Sequence, residues 1–317
     1  MSSHQMVEGN ERPGNGGRAP ALTHPDAVVA AHARVMAGSA ARSRYVEVAP
    51  GQRAHVIEAG EGPSLVLLHG SGPTALQFLP LLDRLQGVRA IAVDRPGFGL
   101  SDSPEHPPVD REAAVTGLTA ILDSLGLGET ALLGNSMGGT WALWYALAHP
   151  DRVTRLVLLG APPLMPGTQV PPPMLAVATP TAGPPPPMPP PSQATVIQSM
   201  GVFGEAETIA QYPDQIDAMV AAGSDEIGLG ARLAELRAVI SPTGWQPTLG
   251  LDVEELRRMS VATLLIWGER DPLGGATVAQ AAAATIPNAR LELLPAGHGP
   301  WLGHPRRTAE LIEDFVR

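Results

Sequence analysis

The chain of 317 residues contains no cysteine and no lysine. Without cysteine there is no disulfide framework, no thiolate nucleophile and no Cys-ligated metal, and the redox compartment is left open. Without lysine every basic side chain among the 21 is arginine, which removes Schiff-base chemistry. Long apolar runs are also missing: no stretch reaches the 18 residues that a membrane span needs, and residues 1–20 lack the apolar centre of a signal peptide. A cytoplasmic protein is the expectation. Basic stripes are absent too, and with a formal charge of −10 neither nucleic acid nor an anionic membrane surface is an expected partner. A small-molecule substrate is, and self-association stays open.

What is present is 44% apolar content, enough to bury a sizeable core. Residues 1–22 read as a flexible tail, followed by a peripheral helix near 24–38. Short apolar runs at 64–69, 90–94, 130–133, 155–159, 262–267 and 290–294 lack polar alternation, as strands buried on both faces do. Two further β-like segments precede them, at 44–48 and 54–59. Helical patterns at 75–85, 110–125, 136–148, 276–286 and 305–316 fall between the runs. Alternating strands and helices imply an α/β fold with a mostly parallel, doubly wound sheet.

Residues 162–260 interrupt that alternation. The first third is crowded with proline, at 171–173, 184–187 and 189–191, and reads as extended or loop-like; the remainder reads as short helices near 205–212, 215–222 and 227–240. The expected division is a tail and peripheral helix over 1–43, a core over 44–161 and 261–317, and a Pro-rich, helical cap over 162–260.

One hexapeptide carries the chemistry. Gly134-Asn135-Ser136-Met137-Gly138-Gly139 joins a strand run to a helical run, so the sequence predicts a sharp strand-to-helix turn with Ser136 at its tip. A serine hydroxyl needs a base, and the base needs an acid to fix its tautomer. His298, in Pro-Ala-Gly-His-Gly-Pro after the run 290–294, is the expected base, with His304 as its rival. Asp271, in Gly-Glu-Arg-Asp-Pro after the run 262–267, is the expected acid, with Glu269 as competitor. An acid after the preceding strand is excluded because no Asp or Glu occurs between Arg152 and Gly204. The oxyanion of a tetrahedral intermediate needs donors, assigned to the amides of Met137, at a helix start, and Ser71, in the turn His69-Gly70-Ser71-Gly72-Pro73. His69 is expected to brace that turn. Gly70, Gly72, Asn135 and Trp301 are the expected substrate-binding residues. Neither a metal nor an organic cofactor is implied.

Together with Asp94-Arg-Pro-Gly-Phe-Gly-Leu-Ser-Asp102, these motifs stand in the order of the α/β-hydrolase superfamily, which the chain resembles from about residue 44 to its C-terminus. The resemblance implies that fold, with the cap inserted between two core strands, and a structural role for the loop 94–102. Within it, the pairing of His-Gly-Ser-Gly-Pro with Gly-Asn-Ser-Met-Gly-Gly is similar to the hydrolases of meta-cleavage products, which break C–C bonds in dienoic keto acids, and also to the carboxylesterase branch. Ser136 excludes the branches that attack with a carboxylate, and the missing lysine tells against the hydroxynitrile lyases. Two departures tell against the C–C branch. No arginine lies between Arg155 and Arg232, where that branch binds its substrate's carboxylate, so Arg232 or Arg237 would have to swing in. Gly299 and Pro300 also separate His298 from Trp301. The methionines of the cap, Met165, Met174, Met188, Met200 and Met219, suit an adaptable apolar substrate. The expected activity is hydrolysis of an ester with a hydrophobic moiety through an acyl-enzyme on Ser136. C–C hydrolysis is the second reading, and a non-catalytic ligand-binding protein of the same fold the third.

Overall fold

A computed structural model describes residues 25–104, 108–178 and 191–317. The tail over 1–22, Met188 and the prolines at 184–187, 189 and 190 lie outside the described residues. In chain order the elements are α1 (Asp26–Met36), β1 (Arg42–Ala49), β2 (Gln52–Ala59), β3 (Ser64–Leu68), α2 (Leu79–Leu82), β4 (Arg89–Val93), α3 (Arg111–Ser124), β5 (Thr130–Asn135), α4 (Met137–Ala148) and β6 (Val153–Leu159). Then follow α5 (Pro172–Ala178), α6 (Gln193–Val202), α7 (Ala206–Ile209), α8 (Pro213–Gly223), α9 (Glu226–Val239), β7 (Ile240–Ser241), β8 (Gly244–Trp245) and α10 (Val253–Arg257). The chain closes with β9 (Thr263–Gly268), α11 (Ala276–Thr285), β10 (Ala289–Leu294), α12 (Pro300–Gly303) and α13 (Pro305–Val316).

Eight strands form one sheet in the order β1-β2-β4-β3-β5-β6-β9-β10. Pairing is antiparallel between β1 and β2 and between β2 and β4, and parallel everywhere else. The reason for unalternating apolar runs is visible in β3: Val66 and Leu68 face α3 and α4, while Leu65 and Leu67 face α2 and α13, and all four are fully buried. Each such side chain contributes about 1.5–3 kcal/mol through removal from water.

Between β6 and β9 the chain leaves the sheet and forms α5 to α10 with the small hairpin β7-β8. Expected to be extended, the prolines at 172 and 173 instead open α5. The first turn of a helix tolerates proline because its N–H has no intrahelical partner there. Helix α1 packs against α8, and its Val35 joins the core under the sheet, so the N-terminal helix ties both parts of the molecule together.

Asp94, at the end of β4, is a buried hub. Its carboxylate accepts from the Ala75 and Leu100 amides and from His55 Nδ1 at 2.8 Å, while His55 Nε2 accepts from Ser43 Oγ at 2.7 Å. Burial pushes this carboxyl up, but the His55 hydrogen bond and the nearby His55 and His69 rings prevail and hold its pKa at about 2. The motif 94–102 thus fastens β4 to β2 and to the turn after β3. No helix among the described residues is long and apolar enough to cross a membrane.

Candidate active site

Ser136 occupies the tip of the turn between β5 and α4 with φ 54° and ψ −127°, a left-handed conformation that costs a non-glycine residue about 1–3 kcal/mol. Close approach demands the glycines around it. A Cβ on Gly134 would lie 2.3 Å from the Gly138 carbonyl oxygen, and one on Gly138 would lie 2.1 Å from the Leu68 carbonyl oxygen. Residues 131–135 and 137–140 are all buried, and Ser136 alone in this stretch keeps exposed surface. The strain therefore delivers one hydroxyl out of a closed core.

Beside it, the loops after β9 and β10 bring Asp271 and His298 together. Asp271 Oδ2 accepts from His298 Nδ1 at 2.8 Å and from the Ala161 amide at 2.8 Å, and Oδ1 accepts from the Leu273 amide at 2.9 Å. With Nδ1 carrying the proton, Nε2 is the basic nitrogen; it is buried and has no hydrogen-bond partner among the described residues. The rivals are elsewhere: Glu269 is exposed, and His304 joins α12 to α13, its backbone N–H closing α12 on the Pro300 carbonyl and its carbonyl accepting from the Thr308 N–H at the start of α13.

Cap residues hold this histidine. Its backbone N–H donates to the Phe203 carbonyl at 2.9 Å, and the Phe203 ring stacks on the imidazole at 5.5 Å between centroids. Glu205, buried beside it, accepts from the Gly299 amide at 2.9 Å. Burial pushes its carboxyl above the ordinary range against the hydrogen bonds from Gly299 and Thr208. Sequence reading missed both residues. The one available signal was that Glu205 is the first acid after Asp151, with none over residues 152–204.

The turn after β3 faces the nucleophile. A Cβ on Gly70 would fall 2.8 Å from Ser136 Cβ and 3.4 Å from its Oγ, so only glycine lets the turn close over the serine. Met137 opens α4, and its amide is one of the helix-start donors with no intrahelical acceptor. His69 braces the turn: Nδ1 donates to the Gly70 carbonyl at 2.7 Å, and Nε2 accepts from the Arg95 amide at 2.9 Å. This single tautomer requires a neutral ring. Burial first, then the Arg95 charge, lowers its pKa to about 4 and keeps it neutral.

The structure separates the four expected substrate-binding residues. Gly70 borders the nucleophile and Gly72 faces Arg232, but Asn135 braces the site from within. Its Nδ2 donates to the Leu159 carbonyl at 2.8 Å and to the His298 carbonyl at 3.4 Å. Trp301 is turned into the core, where its indole N–H donates to the Gln77 carbonyl and its ring packs on Phe78, because α12 begins at Pro300 and swings the side chain inward. The methionines are likewise committed to packing: Met165 belongs to the main core, and Met200 and Met219 pack on the small cap cluster of Val196, Ile209 and Ile216.

An arginine takes up the space near Gly72. A Cβ on that residue would meet Arg232 Cζ at 3.1 Å and Nε at 3.2 Å. Desolvation lowers the Arg232 pKa from its ordinary value, with Glu235 acting the other way, and the residue as a whole is exposed. No carboxylate among the described residues forms an ion pair with it, whereas Arg95 is paired with Glu235. No group of His, Asp and Glu suited to a metal ion occurs among the described residues.

The alpha/beta hydrolase family model matches residues 65–311. A 2-hydroxy-6-oxononadienedioate/2-hydroxy-6-oxononatrienedioate hydrolase from Paraburkholderia phymatum is 30% identical over 291 residues, 87% of this chain and 96% of that protein. A 2-hydroxymuconate semialdehyde hydrolase from Pseudomonas putida is 29% identical, covering 85% of this chain and 92% of its own. Among solved structures, carboxylesterase CesB from Bacillus subtilis superposes with TM-score 0.73 at 21% identity, over 91% of this chain and 96% of that one. The meta-cleavage product hydrolase CumD from Pseudomonas fluorescens IP01 gives 0.69 at 23% identity, over 86% and 96%. At these identities the two superpositions speak for the fold.

Proposed function

The chain belongs to the alpha/beta hydrolase family, and from that premise we propose that it hydrolyses a carbon–carbon bond beside the ketone carbonyl of a linear dienoic keto acid, with Ser136 as nucleophile. The observation that carries this reading is Arg232 beside Gly72. It answers the objection, drawn from sequence, that the early cap has no arginine for a substrate carboxylate. The curated relatives named for 2-hydroxy-6-oxo-dienoate and muconate semialdehyde substrates support the same choice over the simple ester expected from composition. So does the burial of Met165 in the core, which takes one of the methionines argued for that ester out of reach.

In the proposed reaction, His298 Nε2 takes the proton of Ser136 Oγ as the oxygen adds to the ketone carbon. Asp271 stabilises the imidazolium, and the amides of Ser71 and Met137 receive the oxyanion. Collapse of the adduct breaks the C–C bond. Because the substrate has first shifted its enol proton to the carbon beside the ketone, giving a 2-oxo-3-ene acid, the electron pair passes onto that saturated carbon. It is spread through the remaining double bond into the 2-oxo group as a dienolate, whose oxygen takes back the proton from His298. Water then attacks the acyl-enzyme and releases the second acid. Arg232 binds the carboxylate of the fragment that gains charge, so its interaction strengthens toward the transition state.

Ester hydrolysis is the second reading. It is favoured by the position of Trp301, which the C–C branch carries directly after the histidine and which here lies in the core. The two separate by comparing a ring-fission dienoate with a p-nitrophenyl ester. Faster turnover of the dienoate is expected, with kcat/KM for it about 10- to 100-fold lower in Arg232→Met and ester turnover little changed. Faster turnover of the ester, with no selective effect of Arg232→Met, would overturn the proposal.

A further inference from the structure

We infer that Glu235, on cap helix α9, is a positioning residue for the oxyanion donor: through Arg95 and the Ser71 hydroxyl it fixes the peptide unit that carries the Ser71 amide. This rests on the hydrolase reading above. Glu235 is 3% exposed and Arg95 1%. Glu235 Oε1 accepts from Arg95 Nη1 at 2.5 Å, and Oε2 accepts from Arg95 Nη2 at 3.2 Å and from Ser71 Oγ at 2.5 Å. Arg95 reaches onward into the turn, donating from Nε to the His69 carbonyl at 2.9 Å and from Nη2 to the Gly70 carbonyl at 3.1 Å. Its guanidinium is held between the faces of Phe98 and Trp141, at 4.7 and 5.0 Å from their centroids.

The consequence follows from the planarity of the peptide. The Gly70 carbonyl and the Ser71 N–H belong to one trans peptide unit, so they point in opposite directions. Two donors, His69 Nδ1 and Arg95 Nη2, grip that carbonyl from one side. The N–H is thereby aimed to the other, and hydrogen bonding to the carbonyl also polarises it as a donor. Arg95 can serve only while its charge is compensated, and the compensating carboxylate comes from the cap. Ser71 is tied from its side chain by the same carboxylate. The cap therefore reaches the oxyanion turn through Glu235, as it reaches the base through Phe203 and Glu205.

The test uses a fluorophosphonate probe, which phosphonylates a serine through an oxyanion-bearing intermediate, together with a boronic acid that mimics the tetrahedral adduct. Glu235→Gln keeps shape and removes charge. Its labelling rate and its boronate affinity are expected to fall about 10- to 100-fold, with binding of a planar carboxylic acid product changed less than about 3-fold. Glu235→Asp should recover part of the loss. Ser71→Ala, which deletes one hydrogen bond and leaves the buried ion pair intact, should show the same selective pattern at smaller size, and it carries the test if Glu235→Gln does not fold. Labelling and boronate affinity equal to wild type in a folded Glu235→Gln or Ser71→Ala would overturn this inference alone. A wild type that fails to label would overturn the hydrolase reading and this inference with it.

Discussion

The molecule holds two arrays of the same three residue types. In one, His298 joins Asp271 through Nδ1 and its Nε2 has no hydrogen-bond partner among the described residues; in the other, His55 joins Asp94 through Nδ1 and receives the Ser43 hydroxyl on Nε2. By hydrogen-bond geometry the second is the more complete, since its serine and histidine are 2.7 Å apart. What separates them is the surroundings. Ser136 sits in a strained turn between a fully buried strand and a helix start, beneath a glycine turn with amides to offer and an unpaired arginine. Ser43 sits exposed on the edge strand β1 in ordinary extended backbone, and the Asp94 carboxylate is saturated by the amides that hold the fold. A hydrogen-bonded triad is thus no catalyst by itself; a place for the oxyanion and room for the carbonyl decide.

The sharpest way to break this comparison is paired substitution of the acids. Asp271→Asn should lower kcat about 10⁴-fold, because the imidazole loses its oriented tautomer, with a stability loss of its own because this buried carboxylate also accepts the Ala161 and Leu273 amides. Asp94→Asn should cost stability without the loss of kcat. Kinetics on the folded fraction stay near wild type, while stability measured by urea unfolding drops by about 3–5 kcal/mol through loss of a buried, multiply bonded carboxylate. Equal effects of the two substitutions on kcat would contradict the separation.

Acid titration is expected to act on the bracing residues first. His69 and His32 both have pKa values lowered to about 4, His32 by burial and then by the His55 charge. A histidine depressed below its unfolded value of 6.5 binds protons on unfolding. Its stability contribution is complete above pH 6.5 and is lost as pH falls toward 4. For His69 the full loss is on the order of 3 kcal/mol at about 1.4 kcal/mol per unit. Asp94, also depressed, adds a further loss between pH 3.8 and 2. Unfolding midpoints measured from pH 7 to pH 4 should decline, and His69→Gln should flatten part of that decline. A constant midpoint over this range would remove the neutral-histidine brace from the account.

The smallest expected effect is at the stacking residue. Phe203→Ala leaves the backbone bond to His298 in place, so kcat should fall only about 3- to 10-fold. A loss as large as that of Asp271→Asn would make the ring part of the machinery.

How much of this was legible depended on whether a residue's role is local. Ser136, Asp271 and His298 each follow a strand in a short glycine-containing turn, so their motifs were visible one at a time, although the strand before His298 is a half-buried edge strand. Trp301 was misread because the turn at Pro300 points the indole away from the residue it follows in sequence. Glu235 left no trace and Arg232 was named only as an arginine that would have to swing in, since an i, i+3 pair of opposite charges on a helix reads as a solvated face until the cap is folded onto the core. Arg95 lay inside a motif read as structural, and its second task, gripping the Gly70 carbonyl, depends on a cap residue 140 positions away. Strand-borne chemistry is encoded beside its strand, whereas control from the cap is encoded in packing.

The most direct test of the central claim is intact-protein mass measurement after fluorophosphonate labelling of wild type, Ser136→Ala and Ser43→Ala. One adduct is expected on wild type and on Ser43→Ala and none on Ser136→Ala; an adduct that persists in Ser136→Ala and disappears in Ser43→Ala would contradict the account.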